Sequence, residues 1–525
     1  MIRIARVLAV LFAFAFVVAA CGGSDDDSSA DTDADTETEA EADAGGSVDD
    51  DAARDALSES TTTSPEADED QGVATIEDLE AQWAEARAAV VQRIKDEGYG
   101  VGDDNILRGP AGFEVDLNQC PSNWTETEGL VDGTIKIGHT TALSGNLAAY
   151  GNIAAGMEVY FEYVNSNGGI DGMDIELIVK DDGYVATATI ELVDEMLQSD
   201  KPFIINTLGS PNTLAVYDNL NAQCVPHPFV QTGHPAWGDP ENHPWTTAAA
   251  GMSYATEAVL WGNWIKTNLT DQLPVKVSGL VMDNDFGLAY KDGFQKWADA
   301  NPDVVSEFQA VPHDPAAATV TNEMTTIAAS NPDVFISMTA GNPCLLAVQE
   351  AGNSGMTDGS TVLFAPSVCK DPNAYLIPAG EAADGWYIIG GGVKATTDPQ
   401  YADDTYIKFM NDTLEAAGLD TSVGLYGAGF GQHAWPHVEA LRIAAELDGG
   451  LTRSNLLLAL RSIEGVHPAF LDGIVFSVNG NEDAYYIEGS EISIYDADDS
   501  SWIQQGAAVD LNGSSPNCAW GDDGC

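Results

Sequence analysis

The chain has 525 residues, with 83 Asp and Glu against 20 Lys and Arg and a formal charge of −63. That balance argues against nucleic acid and against broad contact with anionic lipid, because such partners are bound through clustered Lys and Arg. An apolar share of 44% is ordinary for a globular protein and is enough for two or three domains with sizeable cores. The acidity is not confined to one segment, so the folded surface should repel itself at low salt and stay soluble at high salt. A saline habitat or an acid-biased proteome would each account for it.

The first 21 residues read as an export signal. Arg3 and Arg6 precede an unbroken apolar run from Val7 to Ala20, too short to span a bilayer as a helix. The ending Val18-Ala19-Ala20-Cys21 resembles a bacterial lipobox, which implies cleavage before Cys21 and diacylglycerol on its sulfur. The expected location is therefore the extracytoplasmic face of the bacterial cell membrane, lipid-anchored. No later stretch is long and apolar enough to span a bilayer. Residues 22–72 are Asp, Glu, Ala, Ser and Thr with almost nothing to bury, and read as a disordered acidic tether. Residues 73–132 read as an N-terminal helical extension. Within it Ile76, Leu79, Trp83, Val90 and Ile94 recur at helical spacing over 75–97, and Gly98 ends the helix.

From Thr134 onward short apolar runs alternate with helical patterns. Strands are predicted at 134–138, 175–179, 202–208 and 228–231, with helices around Ile153–Val164, around Ile190–Leu197 and over 212–221. A helix at 253–268 restarts the alternation: strands at 276–282, 304–310, 333–338 and 361–365, helices at 287–299, 317–330 and 344–352. A strand at 387–389, helices at 400–417 and 426–447, and short strands near 474–477 and 491–495 follow. Near-continuous apolar strands alternating with helices mean parallel sheets covered on both faces. The predicted class is α/β, with two Rossmann-like lobes joined by a three-strand hinge. Lobe 1 takes 133–252 and 387–470, lobe 2 takes 253–386 and 471–505, and 506–525 is a tail. The crossings are expected near 250–256, 383–388 and 468–474.

Besides Cys21 there are six cysteines: Cys120, Cys224, Cys344, Cys369, Cys518 and Cys525. An even number in an exported chain points to disulfides, and six allow 15 pairings. The favoured set is Cys120–Cys224, Cys344–Cys369 and Cys518–Cys525, the last closing a short Gly- and Asp-rich loop.

Three features after Ile135 are more specific. They are Leu143-Ser144-Gly145 with Tyr150-Gly151, Asn165 followed by Gly168-Gly169-Ile170-Asp171-Gly172, and Asp181-Asp182. Asp283-Asn284-Asp285-Phe286-Gly287, Pro332-Asp333-Val334 and Ala351-Gly352 extend the pattern. Together they resemble the branched-chain amino-acid-binding (Leu/Ile/Val-binding) family of ABC-transporter solute receptors, which have the type I periplasmic binding protein fold. The turn holding Ser144 and the loops at 208–211 and 231–235 leave strand ends and meet helix starts, where ligands of open α/β sheets bind. The resemblance implies that Ser210, Thr232 and Gly233 hold a ligand carboxylate, with His234 beside them and Tyr150 as a wall. From the second lobe it implies Phe286, Gly341 and Asn342 of the Ala340-Gly341-Asn342 turn, and Ser367.

One departure bears on the ligand. Amino-acid-binding members place an acid where this chain has Ser367, and a tyrosine is common where Ala340 or Gly341 stands. Without the acid a ligand ammonium lacks its partner unless Asp371 supplies one. Amides, urea, aromatic or short carboxylates and other small polar solutes remain open beside amino acids.

His433 and His437 stand four apart on a predicted helix, with Glu439 nearby, and His227, His234 and His243 are close in sequence. Core or surface packing is the favoured role for both groups, and no metal or cofactor is expected. Gly-x-Ser-x-Gly, HExxH and P-loop motifs are absent, and Ser210 has no evident His and Asp partners, so catalysis is disfavoured. The expected role is a monomeric lipoprotein that closes on a small solute and presents it to an ABC permease pair driven by cytoplasmic ATPases. A ligand-sensing subunit of the same fold is the alternative.

Overall fold

The computed structural model describes residues 47–62 and 75–519. The apolar leader, Cys21, most of 22–72 and Cys525 lie outside the described residues.

The first lobe is built on Thr134–Thr141, which runs parallel to Asp174–Asp181 on one side and to Ile204–Thr207 on the other. Leu130–Val131 pairs antiparallel with the start of the same central strand. Ile135 and Ile137 are fully buried, as expected of a strand with helices on both faces. The connecting helices are Gly151–Ser166, Ala186–Glu195 and Ser210–Ala222. The strand predicted at 228–231 reduces to a single parallel bridge between Leu208 and Gln231. Pro226 and Pro228 remove two ladder donors there, which stops a regular strand from forming.

The second lobe holds seven strands in the spatial order Ser501–Gln504, Ile492–Asp496, Tyr387–Ile389, Val362–Ala365, Val334–Met338, Val275–Met282, Val305–His313. The last five are mutually parallel, and the first two add antiparallel at one edge. The strand Ser501–Gln504 is not evident from sequence periodicity.

The lobe boundaries shift accordingly. The segments that link the two sheets lie near 250–253, 390–392 and 488–491. Tyr387–Ile389 therefore joins the second sheet, whereas Phe476, Tyr486 and Ile487 pack into the core of the first lobe. A three-residue strand carries too little pattern to show which of two sheet edges it completes. The crossing strands are pinned together where the Glu491 side chain accepts from the Gly392 amide at 2.7 Å and pairs with Lys370.

The extension packs on the first lobe. Helix Ile76–Glu97 is capped by the Thr75 side chain, which accepts from the Asp78 amide, and stops at Gly98 with φ 69°. Its buried face centres on Trp83, whose ring lies 5.5 Å from Trp435 and 6.0 Å from Tyr406. Arg87 reaches Glu439 at 2.7 Å, so the most buried acid of that interface is charge-paired. The extension is not wholly helical, since Gly100–Val101, Ile106–Arg108 and Glu114–Asp116 form a small antiparallel sheet. The disulfide Cys120–Cys224 ties it to the first lobe, and Cys344–Cys369 lies within the second. Cys518 is also disulfide-bonded.

The expectation of a structureless tether over all of 22–72 is corrected between 50 and 62, where Asp50–Thr62 is a helix. Ala53 and Leu57 are one turn apart and buried with Val48 against the helix Tyr254–Asn268 side of the second lobe. The Asp49 carboxylate accepts from the amides of Asp51 and Ala52 at 2.9 and 3.1 Å, which caps the helix start. Acids at the first turn favour the helix dipole, so the composition that reads as unfoldable also suits a helix start. Asp50 then accepts from Asn263 at 2.8 Å and from the Trp297 indole. Replacing Leu57 with Ala should loosen this helix by roughly 2–3 kcal/mol. Hydrogen exchange should show faster amide exchange over 50–62 in that variant, with the central strands of both sheets unchanged.

Candidate functional site

Segments leaving strands of both sheets meet around one cavity of about 210 Å³. The first lobe contributes Tyr150, Tyr184, Leu208, Gly209, Gln231, Thr232 and Gly233. The second contributes Tyr254, Phe286, Ala340, Ser367, Lys370, Asp371 and Tyr375. Residues around the crossings, including Gly251, Gly390 and Gly391, form the floor. Gly391 has φ 63°, a conformation that glycine adopts without strain and that bends the second crossing.

The lobes touch across this cavity. Asn146 donates to the Ala316 carbonyl at 2.6 Å, and Asn373 donates to the Ser422 carbonyl at 3.0 Å. Asp371 accepts from the Gly424 amide at 3.2 Å, and Tyr150 interacts with the Gly341 amide and with Tyr375. This is a closed arrangement, held by single hydrogen bonds of about 1 kcal/mol each between neutral groups and somewhat more at the Asp371 carboxylate, a strength compatible with reopening.

Of the residues expected from sequence, Tyr150, Thr232, Gly233, Phe286 and Ser367 line the cavity. Ser210 is fully buried one layer behind, with Oγ 2.6 Å from Thr232 Oγ1. His234 is buried away from the cavity, where its Nδ1 accepts from the Ala236 amide. Gly341 flanks the cavity beneath Tyr150, Asn342 is exposed at the start of its helix, and Ser144 is exposed at the rim beside Asp181. Asp181 and Asp182 are scaffolding: Asp181 accepts from the Leu143 amide at 2.9 Å, and Asp182 accepts from Asn212 at 3.0 Å.

Tyr254, one residue past the first crossing, stands against the loop meant to hold a carboxylate. Its ring lies so close over Gly233 that a Cβ there would come within 2.7 Å of it. Its hydroxyl interacts with the Gly233 amide and the Thr232 hydroxyl. Phe286 and Tyr290 clamp the ring at 5.1 and 4.4 Å between centroids.

An acid does lie behind Ser367, but it comes from another element. Glu257, fully buried on the helix Tyr254–Asn268, accepts from the Ser367 amide at 2.8 Å, the Ser367 hydroxyl at 2.7 Å and the Tyr290 hydroxyl at 2.8 Å. Burial pushes its carboxyl up to about 8, against the pull of those donors. Sequence inspection misses it because position 257 is far from 367 in the chain. The apolar stretch at 253–268 that encloses one acid is the available signal.

The cavity's other charges are matched. Lys370 pairs with Glu491, and Lys394 pairs with Asp404 at 2.7 Å. Asp371 accepts from Thr397 Oγ1 at 2.5 Å and from the amides of Asn373, Ala374 and Gly424. Gln231 Oε1 and His433 Nδ1 are buried without hydrogen-bond partners. Burial pushes the His433 imidazole down to about 3, so it is neutral, and His437 Nδ1 donates to the His433 carbonyl at 2.7 Å. Among the described residues no group of three His, Cys, Asp or Glu is placed to hold a metal ion.

Residues 134–483 match the model of the periplasmic binding protein family. The chain belongs to that family. No curated protein matches it. Solved structures share the fold, which is that of type I periplasmic binding proteins. A fatty acid ABC transporter substrate-binding protein from Thermomonospora curvata superposes with a TM-score of 0.60 at 19% identity, over 79% of this chain and 99% of the other. A branched chain amino acid ABC transporter structure from Thermus thermophilus with bound valine gives 0.59 at 16% identity, over 71% and 95%. A solute binding protein of an ABC transporter from Rhodopseudomonas palustris HaA2 in complex with p-hydroxybenzoic acid gives 0.59 at 18%, over 73% and 98%.

Glu257 yields a pH test of the binding protein's stability. Its ordinary value is 4.5, and the folded value is raised to about 8. The folded state therefore favours the protonated acid, a stabilisation complete below about 4.5 and lost as pH rises through about 8. At ~1.4 kcal/mol per unit it amounts to a few kcal/mol at most. In urea titrations, Glu257→Gln should keep its stability between pH 5 and 8 where the parent loses some. Parallel curves for the two proteins would remove Glu257 from the account.

Proposed function

We propose that the chain is an extracytoplasmic solute-binding lipoprotein that captures a small solute between its lobes and delivers it to an ABC importer. The observation that carries this reading is the cavity at the meeting of two sheets, with buried polar atoms on Gln231 and His433 left for a guest to satisfy. An apolar cavity of ~150 Å³ holds benzene, so a guest of an amino acid's or substituted benzene's size suits this one. Proteins of the same fold include a fatty acid transporter's substrate-binding protein and structures with bound valine and p-hydroxybenzoic acid, which supports a small organic solute of the amino acid, amide or carboxylate kind or close to it.

The Val18-Ala19-Ala20-Cys21 ending supports a lipid anchor on Cys21, with the acidic stretch as spacer to the membrane. The partner would be a permease pair with cytoplasmic ATPases, met by a monomer in its closed form. Ligand bridging both walls binds the closed form better and so shifts the population toward it. Binding, not turnover, is the proposed role, because Ser210 contacts Thr232 rather than a His–Asp pair.

A thermal-shift screen of amino acids, amides, amines and small carboxylates tests this. A solute at 100 times its Kd should add roughly 2.7 kcal/mol of stability and raise the Tm. Tyr150→Ala removes a wall that is only half-buried, and should abolish that rise while the ligand-free Tm changes little. A screen without any shift, or a shift that survives in the variant, would falsify the placement of the site.

A further inference from the structure

The matched and unmatched charges of the cavity narrow the solute, granted the solute-binding reading above. A buried anion needs a cation or several free donors. Both lysines at the wall are committed, Lys370 to Glu491 and Lys394 to Asp404. The donor set formed by Ser210, Thr232 and the Gly233 amide is committed too, because Tyr254 stands over it and takes the place a ligand oxygen would fill. Phe286 and Tyr290, one turn apart on one helix, pack against the ring with centroids 5.1 and 4.4 Å away and hold it over that donor set.

The remaining wall favours positive charge. The phenols of Tyr184, Tyr254 and Tyr375 are all electrostatic neighbours of the Tyr150 phenol, so four electron-rich rings converge on one space. Asp371 opens on the same space, and every donor to it is uncharged: one hydroxyl and three amides. A cavity lined by four tyrosines and one carboxylate without a cationic partner suits an ammonium group.

We propose that the solute carries a positive charge, as an amine or quaternary ammonium, on a compact apolar body, and is held by the tyrosine cluster and Asp371 instead of through a carboxylate. Tyr254 is then the residue that sets specificity, because it closes the subsite an anion would use.

The test uses three probes that share a benzene ring and differ in charge: benzyltrimethylammonium, benzamide and benzoate. With the full chain, thermal shift and calorimetry should show binding of the ammonium, weaker binding of the amide and none of benzoate. Asp371→Asn should weaken the ammonium about tenfold or more and leave the amide within a fewfold. Tyr254→Ala removes the ring that covers Thr232 and Gly233, and should gain benzoate binding. Benzoate binding to the unaltered chain as tightly as the ammonium, or no shift with the ammonium, overturns this inference. If Asp371→Asn does not fold, Tyr254→Ala decides, and continued refusal of benzoate overturns it. A tight carboxylate from the broader screen would refute the cationic solute while leaving the solute-binding role intact, whereas a screen with no ligand at all removes both.

Discussion

A charge taken out of water has to be matched nearby, and the interior of the cleft is organised by that requirement. Each charge on its wall answers to a named group. Lys370 meets Glu491, Lys394 meets Asp404, and Glu257 is held by two hydroxyls and an amide with its proton favoured by burial. Asp371 is surrounded by dipoles alone. A net charge of −63 leaves the outer surface free to be acidic, but it sets no charge inside the cleft, where pairing is local.

The same pairs join binding to movement. Glu491 lies on the third crossing and accepts from the Gly392 amide on the second, while its partner Lys370 belongs to the cavity wall. A guest that presses on the wall therefore presses on the hinge. The inter-lobe contacts at Asn146, Asn373 and Asp371 are hydrogen bonds to single backbone groups, neutral at the two asparagines and to a carboxylate at Asp371. Contacts of that kind let a two-lobed receptor open and close without unfolding either sheet.

The N-terminal extension adds to both halves. Helix Ile76–Glu97 lies on the first lobe through Trp83 and Arg87, and helix Asp50–Thr62 lies on the second through Ala53 and Leu57. The chain thus touches each lobe before the first central strand begins. Its acidic composition hides this, because Asp49 and Asp50 serve as cap and as hydrogen-bond acceptor instead of as solvated charge.

The parallel strands expected at 134–138, 175–179, 276–282 and 333–338, the helix expected at 75–97, and the presence of disulfides were legible in the sequence, whereas which cysteines pair was shown only by the structure. Apolar period, capping residues and cysteine number are local or countable properties, and they determine local structure. The two-lobed class follows, as does the neighbourhood of Tyr150, Thr232 and Ser367. What the sequence could not decide is which side chains from distant segments share a space. Glu257 behind Ser367, Tyr254 over Gly233, and Asp371 against Gly424 each join residues on different elements, across 24 positions or more in two of the three cases. Only the tertiary fold, within the second lobe for Glu257 and between the lobes for Asp371, brings them within bonding distance, so the character of the cavity belongs to the tertiary structure.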